Sequence, residues 1–233
     1  NDFNIRKTLA TIAGGAAVTD ISQVRADADV YILSVKDDAL PVLIPQLCRG
    51  REDKLFLHTA GSVSIDVFQG MARHYGVFYP MQTFSRQKRV SFEEIPCFIE
   101  GSGEEETAAI EALAAQLSHR VYRLSSEARK YLHLSAVFAC NFVNHCYAIS
   151  AELLEKHGIP FDVMLPLIDE TAAKVHQMSP KDAQTGPAVR YDENVIRAQS
   201  QLLKNNPLVK DIYDRMSMNI HRMFQVQSSK FQV

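Results

Sequence analysis

Four polar side chains sit in an otherwise greasy stretch from Arg129 to His157, RKYLHLSAVFACNFVNHCYAISAELLEKH: His133, Asn141, Asn144 and His145. The spacing predicts one long helix, apolar on nearly every side, and such a helix is normally buried in a large core or an interface. Polar groups inside it need partners, because each unsatisfied one costs about 1–3 kcal/mol. His133, Asn141 and His145 follow one another at steps of eight and four residues, which at ~3.6 residues per turn makes one drifting seam. Imidazole titrates near neutral pH and can give or take a proton, and a carboxamide can orient a polar group. The three are therefore candidate catalytic residues, His133 or His145 as proton donor and Asn141 as orienting amide. The chemistry they suit is reduction of a carbonyl or imine, which needs a hydride and a proton. The same seam also fits a buried hydrogen-bond network fixing how two helices or two subunits pack.

Metal chemistry is not expected. His133 and His145 lie roughly three helical turns apart and cannot share one ion without outside help from a residue such as His176. Cys48, Cys97, Cys140 and Cys146 are scattered without a C-x-x-C pair. Reduced thiols in a cytoplasmic protein are the expectation.

The elements that would position these groups fall into two sets. Val30–Val35, Lys54–His58, Gly76–Tyr79, Ile95–Glu100 and Arg120–Leu124 read as short strands. Helical spacing over Asp37–Leu47 and Glu104–Leu117 alternates with them. That alternation predicts an α/β domain over residues 1–124, an open parallel sheet with helices on both faces. Ligands in such sheets bind beyond the carboxyl ends of the strands, here Ser34–Asp38, His58–Ser62 and Tyr79–Phe84. From Ser125 the pattern is helical, so residues 125–233 form an all-α domain: the long helix, then Phe161–Met178, Asp192–Leu203 and a helix from Asn206-Pro207 to about Phe224. Ser179–Arg190 reads as a loop with a helical turn at most, and Gln225–Val233 as a loose polar tail. Ahead of Val30, Arg6–Ala13 reads as helix and Ala17–Thr19 as a stub of strand. A complete sheet of this kind would carry a further strand–turn–helix–strand unit there. Either the protein was shortened, or that unit precedes Asn1.

Composition narrows the class. The 233 residues are 46% hydrophobic and 22% charged with a net charge of −2, which gives no electrostatic case for nucleic acid or an anionic membrane. No apolar run approaches the ~20 residues of a membrane span, and Asn1–Gly15 lacks the pattern of a signal peptide. There is no G-x-G-x-x-G turn. Gly101-Ser102-Gly103 opens a helix beginning Glu104-Glu105-Glu106, whose charges would repel a pyrophosphate.

Several blocks carry a resemblance: Ser34-Val35-Lys36-Asp37-Asp38, His58-Thr59-Ala60-Gly61-Ser62, Tyr79-Pro80-Met81-Gln82-Thr83-Phe84, Leu132-His133-Leu134, Asn141-Phe142, and Thr185-Gly186-Pro187 with Arg190 and Asp192. From about Ala17 to Phe224 the chain resembles the Rossmann-like proteins with a DUF2520 C-terminal domain. That family is provisionally labelled NADP-dependent oxidoreductase and is similar to pyrroline-5-carboxylate reductase. The resemblance implies a Rossmann-type sheet followed by a helical, 6-phosphogluconate-dehydrogenase-like domain, with NADP, or NAD, as cofactor. It implies cofactor contacts from Ser34, Val35, Lys36, Asp37, His58, Thr59, Ala60 and Gly61, and substrate contacts from Tyr79, Gln82, Thr185 and Arg190. Tyr79 stands where many relatives carry His. A homodimer is expected, because a helix apolar all round needs more cover than about 110 C-terminal residues provide. Hydride transfer between NADP(H) and a small carbonyl or imine in the interdomain cleft is the expected activity. A non-catalytic ligand-binding scaffold that keeps the fold is the alternative.

Overall fold

The computed structural model describes residues 14–85 and 90–228. These divide into two compact units, one ending at Phe142 and the other beginning at Val143. The helix expected over Arg6–Ala13 lies outside the described residues.

The first unit is built on a five-stranded sheet in the order β1 (Val30–Leu33), β2 (Leu55–His58), β3 (His74–Pro80), β4 (Cys97–Gly101), β5 (Val121–Arg123). The first three strands are parallel, as are β4 and β5. The sheet differs from the all-parallel expectation at one junction, where β4 runs antiparallel to β3 and Cys97 faces Pro80. The reason is the connection: a parallel neighbour needs a crossover, usually a helix, whereas the described residues between β3 and β4 form no helix. Ala17–Thr19 forms no strand; the chain instead makes a 3-10 turn at Ile21–Gln23, capped by Asp20.

Alternation along the strands separates two cores. Tyr31, Leu33 and Phe56 point to the face covered by Leu40, Ile44 and Cys48 of α1 (Leu40–Cys48) and by Phe68. Leu57, Phe78, Cys97 and Ile99 point the other way, onto Ile110 and Ala114 of α2 (Glu104–Ala115). Gly76 has no side chain because Ile110 and the Glu100 carbonyl occupy its space. Each such apolar side chain removed from water contributes about 1.5–3 kcal/mol.

The next helix, α3 (Ser126–Ala136), is capped by the Ser125 hydroxyl, which accepts the Ala128 N–H. Its first turn is locked to the sheet. Arg129, 1% exposed at its side chain, pairs with Glu100 of β4 at 2.6 Å, and it donates to the Val63 carbonyl at 2.6 Å and to Ser126 Oγ. Ser126 donates its N–H and hydroxyl to the same carboxylate, and its oxygen accepts the Ile65 N–H. From its place near the start of the helix, Arg129 is expected to be solvated or to grip a substrate carboxylate. The structure corrects this, because Glu100 already occupies the guanidinium.

Beyond α3 the helix does not continue as one α-helix. Val137–Phe142 is π-helical. Bonding of i to i+5 turns each residue through a smaller angle than in an α-helix, so the ~3.6-residue period drawn from His133 is interrupted before it reaches Asn141. Nor is the stretch buried on all sides: Tyr131 is 69% exposed, Leu134 50%, Phe138 61% and Phe142 50%.

The second unit contains α4 (Val143–Glu155), a 3-10 turn at Phe161–Met164, α5 (Leu165–Gln177), α6 (Pro187–Arg190), α7 (Glu193–Leu202) and α8 (Pro207–Ser228). Gly158 closes α4 at φ +68, the left-handed geometry that glycine adopts without strain. The last helix runs beyond Phe224 into the segment expected to be loose. Among the described residues of this unit only Ala188 and Ser200 are buried. No described helix is long and apolar enough to cross a membrane.

Glu100→Ala is expected to lower stability by about 3–5 kcal/mol, because it strands the Arg129 charge inside the protein. Urea denaturation checks this. Replacing both partners, Glu100→Leu with Arg129→Met, should recover much of the loss.

Candidate functional site

The parallel register of β1 and β2 pairs Val30 with Leu55, an offset of 25 residues. It persists past the strand ends. Thr59 donates its hydroxyl to Ser34 at 3.2 Å, and Ser62 donates to the Asp37 carboxylate, each pair again 25 apart in sequence. The two loops therefore leave the sheet side by side, cross-linked twice. Both sit at the carboxyl ends of parallel strands, where the open ends of α/β sheets bind ligands. The end of β3 adds Tyr79 and Pro80. Together these elements border a cavity of about 410 Å³ lined by Ser34, Thr59, Tyr79, Pro80, Gln82, Phe84 and Phe92.

His133 reaches this edge from α3. Its Nδ1 lies 3.2 Å from the Tyr79 hydroxyl, with the two rings edge to face at 6.1 Å. Gly61 makes that possible. A Cβ there would lie 2.6 Å from His133 Nδ1 and 2.9 Å from Tyr79 Cζ; the pair is packed onto bare backbone. Burial raises the Tyr79 pKa above the ordinary phenol value, helped by Asp37 and Cys140 and opposed by Arg129. The hydroxyl therefore stays protonated through neutral pH.

His58, expected to approach a cofactor, has its ring in the core. It is fully buried, stacks on Phe68 at 5.8 Å, and accepts the Ala60 N–H through Nδ1 at 3.2 Å. What it presents to the strand edge is a fixed turn. Burial holds its pKa down to about 4, with Arg129 adding in the same direction; the Ser64 backbone, Asp37 and Glu100 oppose. Its Nε2 is buried without a hydrogen-bond partner.

The other expected residues fall in different places. Val35, Lys36 and Asp37 are exposed on the β1 loop, and Ala60 is buried beside Gly61. Gln82 is exposed at the cavity and accepts the Thr83 N–H through its own side chain at 2.8 Å. Asn141 and His145 are exposed, the first in the π-helical segment and the second on α4. Thr185 and Arg190 belong to the second unit, where Arg190 pairs with Asp192 at 2.8 Å. So the structure gathers Ser34, Thr59, Gly61, Tyr79, Gln82 and His133 within one unit. It adds Phe92, which sequence reasoning left out because nothing in its local pattern ties a loop residue to a strand end. Glu100 and Arg129 were legible in principle: each is a charge set in an apolar segment.

A comparison with family profiles matches residues 95–220 to DUF2520, a domain of unknown function. No curated protein matches the chain. Among solved structures, a Bacteroides fragilis protein provisionally described as an NADP oxidoreductase is 53% identical, with 92% of this chain and 83% of that chain covered and a TM-score of 0.87. An imine reductase from Myxococcus stipitatus in complex with NADP+ shares the fold at 13% identity and a TM-score of 0.65, covering 96% of this chain and 84% of that one. Plasmodium falciparum pyrroline carboxylate reductase with NADP bound does so at 10% identity and 0.52, covering 89% and 82%.

A histidine whose folded pKa is depressed binds its proton more readily when unfolded. Stability contributed by neutral His58 is therefore complete above about pH 6.5 and is lost as pH falls from there toward 4, with a slope of at most about 1.4 kcal/mol per unit. Denaturation midpoints across that window should flatten in His58→Gln relative to the wild type.

Proposed function

The chain belongs to the DUF2520 family, and from that premise we propose that it is an NADP(H)-dependent oxidoreductase moving a hydride to or from a small carbonyl or imine. One observation carries the reading: hydroxyl and amide side chains line a cavity at the carboxyl ends of parallel strands, with an imidazole against its tyrosine. That cavity fits the nicotinamide end of a dinucleotide. Ser34 and Thr59 offer hydroxyls, and among the described residues no carboxylate lines it. The cofactor supplies the hydride when bound.

This chain's own residues hold and orient. Ser34, Thr59 and the Thr59–Gly61 backbone face the cofactor side, flanked by Val35, Lys36 and Asp37; His58 acts through the turn it fixes. Tyr79 and Gln82 face the substrate, with the His133 imidazole behind. From the sequence, Asn141 and His145 are proposed as catalytic groups by their spacing, and Thr185 and Arg190 as substrate contacts by the family resemblance. Phe84 and Phe92 stack at 6.4 Å and give the cavity an apolar side.

A homodimer is part of the proposal. It is supported by the apolar stripe Tyr131, Leu134, Phe138 and Phe142 and by a second unit with almost no buried residues of its own. Free cysteines suit the reducing cytoplasm, where we place the protein.

Thermal-shift titration tests the cofactor. NADPH at 100 times its Kd should add about 2.7 kcal/mol of stability, a rise of several degrees in Tm. No shift with NADPH or NADH favours a non-catalytic scaffold instead. Sedimentation velocity should find a dimer, and Phe138→Lys should yield monomers.

A further inference from the structure

Three groups at the strand ends are packed more closely than a binding pocket requires. Tyr79 lines the cavity, the His133 Nδ1 lies 3.2 Å from its hydroxyl, and Gly61 leaves room for both rings. We propose that Tyr79 is the proton donor to the carbonyl oxygen or imine nitrogen of the substrate, and that His133 is the relay that reloads it. The assignment rests on the oxidoreductase reading above.

In the reducing direction, hydride adds to the carbon of the C=O or C=N group, and the π pair moves onto the oxygen or nitrogen. That atom takes the proton of Tyr79 as the phenolic O–H bond breaks. The phenolate then takes a proton from His133 Nδ1, and solvent returns one to the imidazole, so that the proton consumed overall comes from water. Oxidation runs the same transfers backwards. Geometry supports the division of labour: Tyr79 borders the cavity, and His133 is not among the residues that line it. A buried phenol keeps its proton at neutral pH, which suits an acid better than a base.

Gly61 gives the arrangement its second support. Its φ lies outside the left-handed range, so the backbone does not require glycine there. Space does: any Cβ would meet the ring nitrogen and the phenol carbon together. Gly61 is thus a positioning residue for the Tyr79–His133 pair.

The test uses the full chain with NADPH and two probes, 2-methyl-1-pyrroline as imine and cyclohexanone as ketone. Tyr79→Phe should leave NADPH affinity unchanged and lower kcat on a probe the wild type reduces by about 10²–10⁴-fold, the usual contribution of a positioned acid. His133→Gln should lower kcat less, and adding it to Tyr79→Phe should cost little more than Tyr79→Phe alone, because the two act as one relay. In cofactor-free protein, Tyr79→Phe and Gly61→Ala should each shift the ring nitrogen NMR signals of His133. Unimpaired turnover by Tyr79→Phe, or His133 signals unmoved by it, overturns the proton-donor assignment alone. A wild type that binds no NADPH overturns the oxidoreductase reading itself.

Discussion

The ion pair between Glu100 and Arg129 is the contact on which the candidate site depends. Two opposite charges removed from water are costly unless their remaining hydrogen bonds are met. Here the Ser126 N–H and hydroxyl and the Val63 carbonyl meet most of them. One network thereby joins β4, the loop after β2 and the first turn of α3. One turn further along α3, His133 arrives at Tyr79. A looser hold at Arg129 would leave the imidazole free to swing off the phenol.

The same network reaches His58 and Tyr79 electrostatically. The Arg129 charge pushes the His58 pKa further down while opposing the rise at Tyr79. A histidine kept neutral inside the sheet and a phenol kept protonated at its edge thus share one neighbour. Their roles differ through burial: His58 spends its ring on the core and the Ala60 N–H, and half-buried Tyr79 lines the cavity. The cross-links Ser34–Thr59 and Asp37–Ser62 hold the adjoining loops at the spacing that the sheet register imposes.

The helical segment shows why a pattern of apolar residues is ambiguous. Grease on every side of Arg129–His157 satisfies both a buried helix and one whose outer face awaits a partner. The exposed stripe from Tyr131 to Phe142 matches the second description. Within it, Val137–Phe142 is a π-helical turn. Such turns are common at functional sites, and no periodicity at 3.6 residues anticipates one.

Strand and helix placement were legible in the residues because period and turn chemistry are local. The VYIL, LFLH and CFIEG strands, the serine cap of α3 and the glycine stop at Gly158 all stand close to where those rules put them. Candidate site segments were legible too, since parallel strands oblige Ser34, Thr59 and Tyr79 to end on one edge. The direction of β4 was not, because it depends on where the chain after β3 re-enters the sheet. Nor was the Tyr79–His133–Gly61 contact, or the choice of Glu100 as partner for Arg129. Those residues lie tens of positions apart, and only the packing of α3 across the sheet decides which of them touch.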